Sequence, residues 1–249
     1  MPLQQPGFGL RQQIDERDKA YLARIVLDPL RDNYFPKGLP EGSRHYNVGP
    51  VLDQGRTGTC VGHGWTARAN DAPIKQPVPM TPFDLYRMIV QIDEWADNDW
   101  EAHATDDQLQ SGTSVRAGAQ IMRKLGLITN FLWCENLENL RAWHLANFGG
   151  TVCGAPWLAN MMETDSDGFI SYSGTTEGGH CFVSKGWNDR VKYRGRYVRA
   201  MRIKNSWGRE WGEGGYAWIS ESDLLKMLAY PSEFCAPVEF RVNPLAIEP

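Results

Sequence analysis

Ile203-Lys204-Asn205-Ser206-Trp207-Gly208, continued past Arg209 and Glu210 as Trp211-Gly212-Glu213-Gly214-Gly215-Tyr216, is the stretch on which the reading of this chain turns. A β-type run ends there in an amide, a hydroxyl and an indole, and glycines punctuate the turn that follows. Upstream, Gly178-Gly179-His180-Cys181-Phe182-Val183 places an imidazole at the head of another β-type run. Further upstream, Gln54-Gly55-Arg56-Thr57-Gly58-Thr59-Cys60 places a side-chain amide and a thiol around a glycine-bearing turn. A nucleophile, a base, an orienting amide and an oxyanion donor are therefore all present, which are the parts of a thiol acyl-transfer site. Each residue type alone is commonplace, and an isolated cysteine is ordinarily a small buried hydrophobe. The order and the local sequence at all three places carry the reading.

These segments resemble the papain family of cysteine peptidases, over about Leu39 to Val238. Gln54 and Cys60 fall in register with the first residue and the reactive cysteine of the family's Gln-Gly-x-Cys-Gly-Ser-Cys-Trp segment. His180 and the following Gly186-Trp187 look like its His-Ala-Val-x-x-x-Gly-Tyr strand, and Asn205 to Tyr216 resembles its Asn-Ser-Trp-Gly-x-x-Trp-Gly-x-x-Gly-Tyr segment. The resemblance implies an α+β, papain-like two-domain fold, with a helical left domain, a β-barrel-like right domain and the active-site cleft between them. It implies that Cys60 attacks a peptide carbonyl, that its backbone N–H and the Gln54 amide hold the oxyanion, that His180 moves the proton, and that Asn205 holds the imidazole under Trp207. Ser111-Gly112 looks like the glycine stretch that pairs with extended substrate, Gly179 leaves the opposite wall open, and Ala155, Pro156 and Cys181 would line the apolar pocket beside the scissile bond.

Two departures stand out. Thr57 takes the place of a disulfide-forming cysteine, and Val61 replaces the tryptophan after the nucleophile. The first agrees with the other cysteines, because Cys134, Cys153, Cys181 and Cys235 join Cys60 without paired spacing, which suits a reducing, cytoplasmic setting better than a secreted disulfide scaffold. The second retains apolar bulk. A helix opening at Thr59 or Cys60 would set the sulfur against unpaired N–H groups and the positive end of the dipole, so a thiolate with a pKa of roughly 3.5–7.5 is expected, paired with an imidazolium. His63 is a rival base on the same helix, but a base there could not straddle a substrate held between two walls. Cys181, alternating with His180 on a strand, reads as cleft wall.

With 249 residues, 42% of them hydrophobic, the chain can bury one large core or two sharing an interface. A net charge of -4 with no dense Lys/Arg cluster argues against a nucleic-acid partner, and Met1 to Leu10 contain no apolar run of the kind a secretory signal or membrane anchor needs. The expected partner is a polypeptide substrate, with no membrane and no cofactor. Glu163-x-Asp165-x-Asp167-Gly168 imitates the start of a calcium loop, but Gly174 stands where the bidentate glutamate belongs, so a solvated acidic turn is expected and no metal site. Amide hydrolysis or acyl transfer on non-protein or cell-wall peptides would use the same residues, and a binding scaffold that kept the fold would need none of them.

Along the chain, residues 1–40 read as an amino-terminal extension, 41–128 as the helical domain with the nucleophile and 129–249 as the β-rich domain with His180 and Asn205. In the extension, Ile14 to Leu27 has helical spacing, with a break at Asp28-Pro29, and its cluster Tyr21, Leu22, Ile25 and Val26 suits packing on the backs of the domains rather than crossing the cleft. Helices are expected from Cys60 toward Asn70, after Thr81-Pro82 through Trp95, after Ser114 to Gly126, and over Asn136 to Asn147. Gly62 and Gly64 in the first of these suggest close packing by another element. Strands are expected over 151–157, 180–187, 196–206, 216–219 and 234–240.

Overall fold

The computed structural model describes residues 6–12, 15–34, 37–39, 41–46, 48–71, 73–94 and 111–238. Helix α1 spans Arg24–Tyr34 and strand β1 Ser43–His45, and helices α2 (Cys60–Ala69), α3 (Pro82–Ile92) and α4 (Val115–Lys124) follow. Each of the latter two starts where the sequence places a hydroxyl cap: Thr81 accepts from Asp84 N and Ser114 from Ala117 N. Trp95 lies outside the described residues. Then come β2 (Asn130–Trp133), α5 (Leu137–Leu145), β3 (Val152–Leu158), β4 (Phe169–Ile170), β5 (Thr176–Tyr193), β6 (Arg196–Lys204), β7 (Tyr216–Ser220), α6 (Glu221–Leu228) and β8 (Glu233–Val238). Helix α6 was not anticipated, although Ser220 accepting from Asp223 N is the same kind of cap signal.

Helix α2 is buried along its whole length. A Cβ on Gly62 would lie 2.4 Å from Pro82 O, and one on Gly64 would lie 2.7 Å from Cys181 Sγ, so the two glycines let α3 and β5 close on opposite sides of the helix. One apolar cluster joins α2, α3 and α4 around Trp65, Leu85, Ile89 and Ile121. A larger one fills the space under the sheet with Trp143, Trp157, Phe182, Trp187, Met201 and Phe234.

The strands run in the order β2-β8-β3-β5-β6-β7-β4, with β1 added to β5. The expected barrel-like closure is therefore corrected to an open sheet. Its two ends are capped differently: β4 is only Phe169–Ile170 and pairs parallel with β7, and the free edge of β2 is taken by the amino-terminal segment. There Trp133 N donates to Tyr21 O at 2.7 Å and Ala23 N donates to Trp133 O at 2.8 Å, which satisfies the edge without another strand.

The extension is partly as read. Tyr21 stacks on Phe131 at 5.4 Å, Ala23 and Leu27 are buried, and Val26 and Leu30 pack on the sheet core. Ile25 does not join them and is 57% exposed. The helix begins later than expected, at Arg24, and runs through Pro29 rather than stopping there. Pro29 withholds a hydrogen bond from the carbonyl of Ile25, a residue that faces solvent, so the loss is tolerable.

Candidate active site

Cys60 is the first residue of α2, and the helix has no side-chain cap at Thr59. Backbone N–H groups of Cys181, Gly9, Val61 and Cys60 itself surround its sulfur and favour the thiolate. Cys181 follows His180 on β5, so the helix terminus and the imidazole strand meet at this point. His180 is fully buried; its Nε2 lies 2.7 Å from Asn205 Oδ1, and Nδ1 has no hydrogen-bond partner among the described residues. Asn205 is held in turn, because its N–H donates to Gly215 O at 3.0 Å and its Oδ1 also accepts from Ser206 N at 2.8 Å. Trp207 packs 4.5 Å from the His180 ring and Trp157 packs 4.9 Å from it, shielding the imidazole–amide bond from water.

Gln54 is positioned by a short antiparallel pairing of residues 52–54 with 206–208: Gln54 N donates to Ser206 O at 2.9 Å and Gly208 N to Leu52 O at 3.0 Å. Ser206 Oγ donates to Gln54 Oε1 at 2.6 Å, which turns the amide nitrogen toward the cleft. Lys204, which the sequence reading passed over, anchors the same strand end: its buried Nζ sits 2.6 Å from Asp71 Oδ1 just beyond α2. His63 is engaged with Thr59 and Asp53, its Nδ1 lying 3.0 Å from Thr59 O, and its ring stands edge-on to Phe83 of α3.

The amino-terminal segment lies across this site, contrary to the expectation that it would avoid the cleft. Gly7 N donates to Gly55 O at 3.3 Å, and Gly7 O accepts from Gln54 Nε2 at 3.1 Å. Leu10 N donates to Gly179 O at 3.0 Å on one wall, while Thr113 on the other wall donates to Gly9 O at 2.9 Å and accepts from Arg11 N at 2.9 Å. Phe8 stands edge-on to His180 and Trp207 at 6.0 and 5.9 Å. The glycines make this approach feasible, since a Cβ on Gly9 would fall 1.7 Å from Gly58 O and one on Gly7 2.2 Å from Thr57 O. Beyond Pro6 the groove continues as a pocket of about 400 Å³ between Asp53, Arg56, Glu163, Trp207 and Trp211.

Burial changes the electrostatics expected of the pair. Desolvation pushes the Cys60 thiol up to about 11 and the His180 imidazole down to about 4, against which the groups around the sulfur and the Asn205 amide act only in part. Burial thus disfavours the charged form of each group, against the thiolate–imidazolium pair anticipated.

The strap pairs with the residue after Ser111 and Gly112. Ser111 O accepts from Arg11 Nε at 2.6 Å, and Gly112 N donates to the Tyr86 hydroxyl at 2.9 Å, so the extended pairing falls one residue later, on Thr113. Ala155 is buried in the core under the sheet, and Cys181 points at α2; Gly154 takes the position beside the cleft, facing Leu10 and Glu233. In the acidic turn, Asp165 Oδ1 accepts from Asp167 N and Phe169 N, and Asp167 Oδ2 from Arg194 N, so these carboxylates fix backbone.

No family model and no curated protein matches this sequence. The fold does match solved structures. Xylellain, a cysteine protease from Xylella fastidiosa, aligns over 97% of this chain and 99% of its own with a TM-score of 0.64 and 18% identity. Procathepsin B S9 from Trypanosoma congolense aligns over 93% and 86% with a TM-score of 0.55 and 10% identity, and a mite allergen from a study of Blo t 1 and Der p 1 over 92% and 86% with 0.54 and 14%. The chain thus has the papain-like cysteine protease fold.

Proposed function

We propose that this chain is a cysteine-type peptidase, described here in a latent, strapped state. The observation that carries the reading is the 2.7 Å bond between His180 Nε2 and Asn205 Oδ1, beside a cysteine at a helix amino terminus. That bond fixes one ring nitrogen and leaves Nδ1, the one without a partner, to exchange a proton with the thiol. Once water returns to the cleft the proton passes from Cys60 to His180, and the helix terminus stabilises the thiolate. The sulfur attacks a peptide carbonyl, and the oxyanion forms against the Cys60 N–H and Gln54 Nε2, the amide that Gly7 O occupies now. One such donor contributes about 2.7–4 kcal/mol to lowering the barrier. His180 then protonates the leaving amine and activates water against the thioester. Residues 41–128 and 129–249 serve as the two walls in this reading, and the buried, unpaired cysteines fit a reducing, cytoplasmic setting.

In the strap, the carbonyl of Gly9 is bonded to Thr113 N, and the carbonyl bonded to Gln54 Nε2 is that of Gly7. An epoxysuccinyl thiol inhibitor, followed by mass mapping, tests the assignment: modification of Cys60 with loss of peptide hydrolysis is expected. Hydrolysis that survives full modification of Cys60 would refute it.

A further inference from the structure

Residues 190–199 read Arg190-Val191-Lys192-Tyr193-Arg194-Gly195-Arg196-Tyr197-Val198-Arg199, with five basic side chains and no acidic one in a chain of net charge -4. Overall charge argues against a nucleic-acid partner only where it is evenly spread, and here it is not. Along the sequence the basic residues are diluted by other types; the fold brings them together. Arg194 and Gly195, both at positive φ (49° and 78°), turn β5 back into β6, as a two-residue hairpin turn requires. Val191 then pairs with Val198, Lys192 with Tyr197 and Tyr193 with Arg196.

This part of the hairpin leaves the sheet behind. Strand β5 pairs with β3 up to Val183 and with β1 up to Asn188, and β6 pairs with β7 only from Ala200 onward. Among the described residues, the strand pairing of Val191 to Val198 is with each other alone, so they form a projecting two-stranded ribbon. Its two faces differ. On one, Tyr193 stacks on Phe169 at 4.1 Å and both valines are half-buried, which seats the ribbon on β4. The other carries Lys192 and Tyr197, and the guanidinium of Arg190 lies 4.9 Å from the centre of the Tyr197 ring. Tyr197 is 64% exposed, more than any other large apolar or aromatic side chain among the described residues. Arg199 is tied to Asp189 and Glu221 at 3.5 Å, and Arg194 to Asp165 at 3.8 Å. Arg190, Lys192 and Arg196 are exposed and have no carboxylate partner among the described residues.

We propose that this ribbon is a docking surface for single-stranded nucleic acid, with phosphates on its cations and a base stacked on Tyr197. Guanidinium groups take phosphate oxygens in pairs, and four of the five cations are arginines. The ring decides between polyanions. An acidic peptide would use the cations and leave Tyr197 idle, whereas unpaired bases stack on an exposed aromatic ring whatever their sequence. An anionic membrane would need apolar side chains beside the cations, and Val191 and Val198 lie on the opposite, seated face. The ribbon starts ten residues after His180, roughly 30 Å along the strand, so its occupation leaves the cleft open and the proposal is independent of the peptidase reading.

Fluorescence anisotropy of a labelled oligothymidylate of about 12 nucleotides, with the full chain, tests it. Binding should weaken steeply with salt, log K falling against log salt with a slope of about -2 to -3.5 for three to five neutralised phosphates. The double variant Arg190→Gln, Lys192→Gln should make that slope shallower by about 1.4. Tyr197→Leu should weaken binding by about fivefold or more with the slope unchanged, and Tyr197→Phe should bind as the parent does, because the ring is kept. Melting transitions and iodoacetamide labelling of Cys60 should stay parental in all three, and if the leucine variant does not fold, the salt slope of the double variant decides alone. Absence of binding at about 50 mM salt, a parental slope in the double variant or parental affinity in folded Tyr197→Leu would overturn the proposal. Displacement of the oligothymidylate by an oligoglutamate of equal charge at equal concentration would overturn it in favour of an acidic protein. Tighter binding to phosphatidylserine vesicles than to the oligothymidylate would overturn it in favour of a membrane.

Discussion

Replacing Gly9 with alanine should raise the proposed peptidase activity. In the strapped state the position has no room for a methyl group, since a Cβ would fall 1.7 Å from the carbonyl oxygen and 2.3 Å from the carbonyl carbon of Gly58, both backbone atoms of the loop that leads into α2. Gly58 cannot retreat freely, because the same loop carries the Thr57 carbonyl bonded to Gln54 and ends at Cys60. The strap must give instead. Overfilling a packed site costs about 1–3 kcal/mol, which multiplies the open population by roughly 5–150. If the open form is the active one, turnover of a fluorogenic peptide below saturation should rise by a factor in that range, and iodoacetamide labelling of Cys60 should accelerate in parallel, since the same opening rehydrates the thiol. Circular dichroism and the melting transition should show a folded protein, because the residues that hold the segment to the sheet, Tyr21 to Leu27, are untouched. Parental rates of both turnover and labelling in a folded Gly9→Ala protein would refute the view that the strap controls access. A fall in both would mean that the segment supports the site rather than covering it.

Cys60→Ala should abolish hydrolysis with a small loss of stability, as one buried sulfur is removed, whereas Cys181→Ala should stay active; the two are compared by peptide turnover and urea titration. Asn205→Ala should reduce kcat less than His180→Ala, because orienting a base matters less than possessing one, and His63→Ala should keep most turnover; equal, near-complete losses for His63→Ala and His180→Ala would unseat the assignment. The buried ring of His144 has no hydrogen-bond partner for either nitrogen among the described residues and is pushed down from 6.5 to about 3 by burial and then by Arg68. Because its folded value is depressed, the unfolded chain takes up the proton first, so stability is lost as pH falls through that window. The melting temperature should decline below pH 6.5 more steeply in the parent than in His144→Leu, and identical slopes would assign the acid sensitivity elsewhere.

Local chemistry wrote the helices, most strands and the four polar residues of the site into the sequence. Caps at Thr81, Ser114 and Asn136 set helix starts within a residue or two, and alternation marked the long strands. Gly62 and Gly64 announced close neighbours without saying which, and Pro82 and Cys181 proved to be those neighbours. Gln54, Cys60, His180 and Asn205 were assigned because the segments around them resemble those of the papain family, and the structure sets His180 against Asn205 and Gln54 beside Ser206.

What the sequence could not decide was long-range. Residues 7–11 have no periodicity of their own; they are extended because Gly55, Thr113 and Gly179 offer them backbone partners, and only tertiary structure brings those three together. The shifts of Cys60 and His180 are long-range as well, since each starts from its own ordinary value and is moved by burial among segments far apart in sequence. Glu233 carries no signal in a one-dimensional reading either: it is an ordinary charged residue at the start of a strand until β8 pairs with β3 and sets its carboxyl against Gly154 and the leucine of the strap. Short-range turn chemistry and hydrophobic period thus fixed where the reactive groups lie along the chain, while burial and charge, which sum over segments far apart in sequence, fixed the state in which those groups are held.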